Sequence, residues 1–355
     1  MKVHQMLVSM CYGDAITDYS LEIQKILRRQ GYHSEIFVEM CDRRMWKHIR
    51  RFEEYPKISS PSNILILHFS ILSQVSKLAY HLPDKKILIY HNITPSLFFA
   101  DFHPHLAGEC YHGRRELKAF KDKCDLALGD SEFNRQELEN LGFPQTGVLS
   151  IILNFRKFEP APDPLVPHLY PKGRTTFLFV GRMVPNKRVE DIIKLFYCYQ
   201  KYINPKSQLI LVGEYRGFER YYDSLRNLIA ELSLEDVHFT GHVELEELIA
   251  YYKMADVYIS MSEHEGFCVP ILEAFYFQIP VVAYNSAAVP YTMRGAGVMV
   301  NHKDHPLIAE LIHHILSHPS LKEEIIASQN RILANLKQAR SDRLLLKYIE
   351  MVAGR

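Results

Sequence analysis

No apolar run in this 355-residue sequence is long enough to cross a bilayer, and its first ten residues are interrupted by His4 and Gln5. Neither a membrane span nor a secretory leader is therefore expected. Cysteine is sparse: Cys11, Cys41, Cys110, Cys124, Cys198 and Cys268 form no Cys-x-x-Cys pair and match no zinc spacing. That scatter argues against disulfides and for reduced thiols in the cytoplasm. An excess of charge of one sign is missing too, since 42 Lys and Arg face 41 Asp and Glu for a net +1. No global field favours nucleic acid, and any anionic partner must be met by a local patch. With no tandem repeat and no low-complexity tract, solenoid and disordered classes drop away.

What is present is a rhythm. Apolar runs at Gln5–Ser9, Glu35–Val38, Asn63–Leu67, Lys86–Tyr90 and Leu126–Leu128 are each followed by a loop and a helical pattern, the signature of parallel strands with crossover helices. The first helix is expected over Asp18–Gln30, with Gly31 as its left-handed cap. A second series opens at Thr176–Gly181 and continues at Gln208–Gly213, Val237–Gly241, Asp256–Ser260, Pro280–Ala283 and Gly297–Val300. The fold class is α/β, with two doubly wound parallel-sheet domains, as the length also suggests. Between the two series, Pro160, Pro162, Pro164, Pro167 and Pro171 stiffen a linker and exclude helix and central strand. The expected division is an amino domain over 1–155, a linker over 156–173, a carboxyl domain over 174–335 and a helical tail over 336–355. The tail either completes the second domain or crosses back to the first.

The most informative stretch is Glu265-Gly-Phe-Cys-Val-Pro-Ile-Leu-Glu273. Pro270 is suited to a first helical position, which would put Glu265 in the loop and Glu273 in the first turn. The N–H groups from Phe267 to Leu272, Pro270 excepted, would then be unpaired at a helix start that attracts phosphate, while the two carboxylates accept hydroxyl hydrogen bonds. That combination suits a sugar nucleotide; the alternative is a pair of solvated helix-start acids. After the strand at Thr176–Gly181, Arg182 offers a planar fork and Lys187 a point charge, together suited to a leaving diphosphate. In the amino half, Gly13 follows the first strand and lets backbone approach a diphosphate, while His68 and His91 follow two successive strands of one sheet, where ligands bind in such folds.

Taken together, Gly181-Arg182 with Lys187, Gly213-Glu214, Gly241-His242-Val243, Ala255-Asp256-Val257 and Glu265-Gly-Phe with Glu273-Ala274 resemble the carboxyl domain of retaining glycosyltransferases of family 4, over about Phe177 to Val300. The amino half is similar more weakly, through Gly13-Asp14, Leu67-His68, His91 and Asp130-Ser131-Glu132-Phe133. The stretch His91 to Pro95 looks like members that are mannosyltransferases. The resemblance implies a GT-B architecture of two Rossmann-like domains facing a cleft, the donor held by the carboxyl half and the acceptor mainly by the amino half. It implies that Arg182 and Lys187 neutralise the diphosphate and that Glu273 holds the ribose. Glu265, with Gly266 and the N–H groups of Phe267 and Cys268, would bind the donor sugar. His242 and Val243 would meet the base through their backbone, and His91 would lie near the reacting carbon. His91, Glu265, Arg182 and Lys187 form the expected catalytic set, with neither glutamate as an acid/base. Two departures stand out: Cys268 where Gly is usual, and Asn154-Phe155 in place of Asn-Gly.

No two aspartates lie two residues apart, so the Asp-x-Asp pair that holds a metal in the other glycosyltransferase architecture is missing, and neither metal nor other cofactor is expected. His103 and His105 with Cys110 and His112 match no defensible metal spacing. Arg43 to Phe52 interleaves five cations besides His48 with four large apolar residues including the only Trp, which reads as a solvated surface insertion whose apolar residues pack inward or, as a helix, could lie on an anionic membrane.

The reading is a metal-independent retaining transferase. It would move a hexose, mannose first, from a nucleotide sugar to a hydroxyl of a glycan or lipid-linked acceptor for cell-surface polysaccharide or glycolipid. A GDP-sugar is favoured over a UDP-sugar, although Leu245 and Leu248 offer no group to tell guanine from uracil. The expected location is cytoplasmic or at the inner membrane face. A non-hydrolysing UDP-sugar epimerase of this architecture and a non-catalytic sugar-nucleotide-binding protein stand as alternatives.

Overall fold

The structure, a computed structural model, describes residues 2–338 and 340–354, apart from the Gln338 side chain. The chain divides into two compact units. One takes Met1–Leu97, His105–Asn154 and Ala339–Arg355, the other Phe98–Pro104 and Phe155–Gln338.

The first unit is built on a seven-stranded sheet whose pairings are all parallel. Its elements are β1 (Val3–Met10), α1 (Ala15–Arg29), β2 (Ile36–Cys41), β3 (Arg50–Arg51), β4 (Ile64–Phe69), α2 (Gln74–His81), β5 (Lys85–Tyr90), α3 (Pro104–Ala119), β6 (Leu126–Gly129), α4 (Glu132–Asn140) and β7 (Thr146–Val148), with strand order β3-β2-β1-β4-β5-β6-β7. Strands covered on both faces read as continuous apolar runs, and every residue of β4 is buried. Helix α1 starts three residues before the expected Asp18. The Asp14 carboxylate accepts from the Thr17 N–H at 2.9 Å and fixes the start there. At the other end Gly31, at φ +80°, donates to Arg28 while Tyr32 donates to Leu27, a Schellman closure. Strand β4 runs one residue past His68, so this histidine lies inside a strand rather than after one.

Residues 43–52 do not form the amphipathic helix weighed above. Arg43–His48 is a 3-10 helix and Arg50–Arg51 an edge strand, because Asp42 caps a short turn and Arg50 is drawn into ion pairs with Glu35 and Glu54 at 3.0 and 2.7 Å. Met45 is buried and Trp46 is 62 % exposed. Among the described residues, no helix is long and apolar enough to cross a membrane.

The second unit carries a six-stranded parallel sheet, order β10-β9-β8-β11-β12-β13. It comprises β8 (Thr175–Val180), α5 (Val189–Tyr202), β9 (Ser207–Val212), α6 (Glu219–Glu231), β10 (Val237–Gly241), α7 (Leu245–Met254), β11 (Val257–Ser260), α8 (Val269–Tyr276), β12 (Val281–Tyr284), α9 (Val289–Met293), β13 (Val298–Val300), α10 (His305–Ser317) and α11 (Pro319–Gln338). Glycines at the ends of β8, β9 and β10 let the loops come together there. The Gly181 N–H donates to Val212 at 2.9 Å and that of Gly213 to Gly241 at 3.0 Å. A Cβ on Gly213 would lie 2.0 Å from the Gly181 oxygen, so only glycine fits.

The proline-rich stretch is not a free linker. It forms 3-10 turns at Phe155–Phe158 and Val166–His168. Phe158 is buried against Tyr252 and Phe277, and Val166 is buried as well. The apolar residues between the prolines anchor the stretch to the second unit. Phe155 stacks on Tyr276 with centroids 5.1 Å apart, so the division falls between Asn154 and Phe155. The last helix, α12 (Ser341–Ala353), belongs to the first unit: Leu345, Ile349 and Val352 enter its core beside Ile23 and Leu126, and Lys85 Nζ donates to the Val352 carbonyl at 2.9 Å.

One core residue makes the first unit sensitive to acid. His4 on β1 is fully buried, with its ring edge-on to Phe37 and Tyr55 at 5.7 Å and its Nδ1 accepting from the Glu35 N–H. Burial, partly opposed by the Glu35 carboxylate, brings its pKa down to about 4 from 6.5. Between those two values only the unfolded chain takes the proton, so stability is lost as pH falls from about 6.5 to 4, by about 3 kcal/mol. Urea denaturation at pH 7.5 and 4.5 checks this: His4→Leu should lose distinctly less stability over that interval than the unmodified protein.

Candidate functional site

In the second unit, the loops after β8 and β11 meet. Val184 enters a single 3-10 turn at Pro185–Lys187, and Arg188 leaves it in the left-handed region at φ +52°. This bend aims Lys187 at Glu265, and its Nζ lies 2.6 and 2.7 Å from the two carboxylate oxygens. Asn186 joins the same loops twice, donating from Nδ2 to the His264 carbonyl at 3.0 Å and accepting from the Glu263 N–H at 2.9 Å. Burial alone would push the Lys187 pKa down; the Glu265 carboxylate more than offsets this and holds it above its ordinary value. An ammonium has three N–H donors, so two go to Glu265 and a third is left for an anion.

The loop continues into α8 differently from expectation. The helix starts at Val269, with Pro270 second and Glu273 in the second turn, because Cys268 takes a left-handed conformation at φ +69° and turns the chain one residue early. This conformation accounts for glycine being usual at this position and costs a cysteine of the order of 1 kcal/mol. Ala288 donates to the Glu265 carbonyl at 3.3 Å and the Thr292 hydroxyl to that of Phe267, which pins the bend. No acceptor among the described residues takes the N–H groups of Gly266, Phe267 and Cys268. Burial first, and then Glu265, raises the Cys268 thiol far above its usual range, so it is a neutral group in the wall.

Glu265 and Glu273 are 7 % and 6 % exposed, which rules out a solvated pair of helix-start acids. Glu273 accepts from the Tyr252 hydroxyl at 2.8 Å and pairs with Lys157 at 3.1 Å. Burial, helped by Glu273, keeps the Tyr252 phenol protonated by raising its pKa well above 10. Neither Lys157 nor Tyr252 was identified from sequence. Lys157 sits in the proline-rich stretch and Tyr252 reads as a core position of α7, so their only signal was a cation and a hydroxyl without an obvious partner.

Arg182 is exposed, with its guanidinium 5.9 Å from the Phe218 ring centre, and its charge acts on Lys187. His242 is exposed and Val243 half-buried at the end of β10, just ahead of the Glu244–Glu247 capping box that starts α7. In the first unit, Gly13 is exposed between β1 and α1 at φ +80°. His91, expected to face the reacting sugar, is 8 % exposed and has both ring nitrogens engaged: Nε2 lies 2.9 Å from His68 Nδ1, and Nδ1 lies 3.2 Å from Asp130 Oδ2. His103, His105, Cys110 and His112 are not gathered into a ligand group. Among the described residues the one set of three such donors within reach of each other is His4, His33 and Glu35.

Residues 166–331 match the family model of glycosyl transferases group 1. That stretch, most of the second unit, resembles the group 1 glycosyltransferases. The chain's relatives include the O-antigen chain mannosyltransferase B of Escherichia coli, 27 % identical over 73 % of this chain and 67 % of that protein. A GDP-mannose-dependent alpha-mannosyltransferase of Mycolicibacterium smegmatis is 32 % identical, but over only 32 % of this chain and 26 % of its own. Among solved structures, sucrose-phosphate synthase from Thermosynechococcus elongatus superimposes with TM-score 0.77 at 18 % identity, covering all of both chains. Anabaena HepE in complex with UDP-glucose gives 0.76 at 14 %, over 99 % of this chain and 100 % of that one. These likenesses establish the GT-B fold, and the family and its relatives make the transferase a hexosyltransferase.

The Lys187–Glu265 pair carries stability as well as charge. Lys187→Met, which strands a buried carboxylate, should cost about 3 kcal/mol in urea denaturation, and the double variant with Glu265→Gln should lose less than Lys187→Met alone. An additive double variant would show the pair to be uncoupled. Activity losses at Lys187 therefore have to be read beside the folded fraction.

Proposed function

We propose that the transferase moves mannose, with retention at the anomeric carbon, from GDP-mannose to a hydroxyl of a glycan or lipid-linked acceptor, without a metal or other cofactor. The observation that carries this reading is the bend at Cys268, where three N–H groups, the spare donor of Lys187 and the Glu265 carboxylate lie on one short segment and its neighbour. Donors of this kind suit a diphosphate, and a carboxylate that retains lone pairs suits sugar hydroxyls. Mannose and GDP are favoured because several relatives are named GDP-mannose-dependent mannosyltransferases. Polysaccharide or glycolipid synthesis at the inner membrane face fits the O-antigen and phosphatidylinositol mannoside enzymes among them.

In the proposed step the bond from the anomeric carbon to the phosphate oxygen breaks and its electron pair stays with the nucleoside diphosphate. The acceptor oxygen attacks from the same face, and its proton passes to the departing phosphate. Arg182, Lys187 and the amides of Gly266, Phe267 and Cys268 stabilise the charge that develops on the diphosphate. Glu265 orients the sugar and Glu273 the ribose, with His91 as a further participant in the proposed step. His242 and Val243 meet the base, and Gly13 leaves backbone free to approach the donor.

A thermal-shift panel of GDP-mannose, GDP-glucose, UDP-glucose and ADP-glucose tests the donor. A ligand at a hundred times its Kd stabilises the fold by about 2.7 kcal/mol, so GDP-mannose should raise the melting temperature most. A larger shift with a UDP-sugar would replace the donor assigned here. Glu273→Ala should reduce transfer at least tenfold, the equivalent of one charge-assisted hydrogen bond; near-normal turnover would remove it from the site. Transfer should persist in EDTA, and loss of activity that a divalent cation restores would contradict the metal-free step.

A further inference from the structure

A line of buried polar side chains runs through the first unit across β1, β4, β5 and the end of β6. Gln5 Nε2 donates to the Ser20 carbonyl at 3.0 Å, which turns its Oε1 to His68 Nε2, also at 3.0 Å. An amide oxygen only accepts, so His68 carries its proton on Nε2. His68 Nδ1 then faces His91 Nε2 at 2.9 Å, the rings within 3° of parallel, and His91 Nδ1 faces Asp130 Oδ2. The other Asp130 oxygen accepts from Asn134 Nδ2. Gln5, His68, Asp130 and Asn134 are each at most 2 % exposed.

Each of the three links from Gln5 to Asp130 needs one proton. Two neutral imidazoles and a carboxylate bring only two, so the fully bonded line holds one more and has no net charge, the arrangement a low-dielectric interior favours. With the first proton fixed by Gln5, a neutral His68 must accept at Nδ1 and His91 must donate from Nε2. The additional proton lies between His91 Nδ1 and Asp130, where the positive charge has its closest counter-ion. Burial supports the same order, holding the His68 pKa well below 6.5 and raising the Asp130 carboxyl. The other groups facing His91 are Asp14 at the start of α1, which acts through its charge, and Tyr19, edge-on at 6.0 Å with its hydroxyl committed to the Leu149 carbonyl.

We propose that Gln5 and His68 are positioning residues of the transferase, fixing His91 with a proton on Nε2 and holding the ring against Asp130. With both ring nitrogens committed inside the line, His91 has no N–H to spare for a sugar oxygen; what it brings to transfer is a ring fixed in place and a proton shared with Asp130, and the line sets both through groups far too buried to touch substrate. The part of His91 in transfer rests on the function proposed above; the proton order does not.

Long-range proton–nitrogen correlation spectra at pH 7.5, assigned with His68→Gln and His91→Gln, should show His68 protonated at Nε2 alone and His91 protonated at Nε2. A proton on His68 Nδ1, or a bare His91 Nε2, would overturn the order. In His68→Gln the amide can still donate to Gln5 and accept from His91, whereas His68→Leu keeps the bulk without the acceptor. Turnover of the leucine variant should fall about tenfold with the donor KM little changed, one hydrogen bond's worth of rate, and the glutamine variant should recover most of it. Both are to be compared at equal folded fraction by thermal melting. Equal losses in the two would reduce His68 to packing. Normal transfer by His91→Gln with the spectra as expected would instead remove His91 from the reaction, and the positioning role with it.

Discussion

One ion pair organises the second unit's strand ends. Lys187 and Glu265 come from loops 78 residues apart, and the buried Glu265 carboxylate would not be tolerated there alone, because removing an ion from water costs several kcal/mol; Lys187 keeps part of its side chain exposed. The pair persists because its surroundings are also bonded. Asn186 joins the loops through both its backbone and its amide, and Ala288 and Thr292 hold the carbonyls of the bend that follows. The same contacts leave unspent valences, a third N–H on Lys187 and further lone pairs on Glu265. What holds the loops in place and what is open to a ligand are opposite sides of the same atoms.

The architecture was legible because parallel strands covered on both faces must be apolar throughout, and runs such as Ile64–Leu67 and Leu209–Val212 cannot be read as anything solvated. Strands β3 and β7, of two and three residues, left no such trace. Element ends were less legible because caps are set by single contacts. Asp14 moved the start of α1, and the left-handed turn at Cys268 moved that of α8 away from the position Pro270 suggested.

Of the residues assigned to the proposed site, Arg182, Lys187, Glu265 and Glu273 stood out in the sequence because each follows or closes a strand-end loop. Lys157 and Tyr252 were not, since their relation to Glu273 is purely tertiary, one arriving from a proline-rich stretch and the other from a helix interior. The two histidines of the first unit were identified as neighbours, but not as members of one hydrogen-bonded line. That depends on the orientation of Gln5, which β1 presents as an ordinary strand residue. Sequence pattern shows which residues share a sheet end; the direction in which protons are passed between them is a property of packed side chains.

Helix α12 has a consequence for how the protein is made. Leu345, Ile349 and Val352 fill the core of a unit whose strands all lie before residue 149, and burying three such side chains contributes of the order of 5 kcal/mol. A ribosome has therefore released every strand of the first sheet, and then the whole second unit, before the piece that closes the first core emerges. The first-made half of the chain is the last to be finished. Until then it exposes an apolar surface against β4 and β5, the state in which a nascent chain depends most on chaperones.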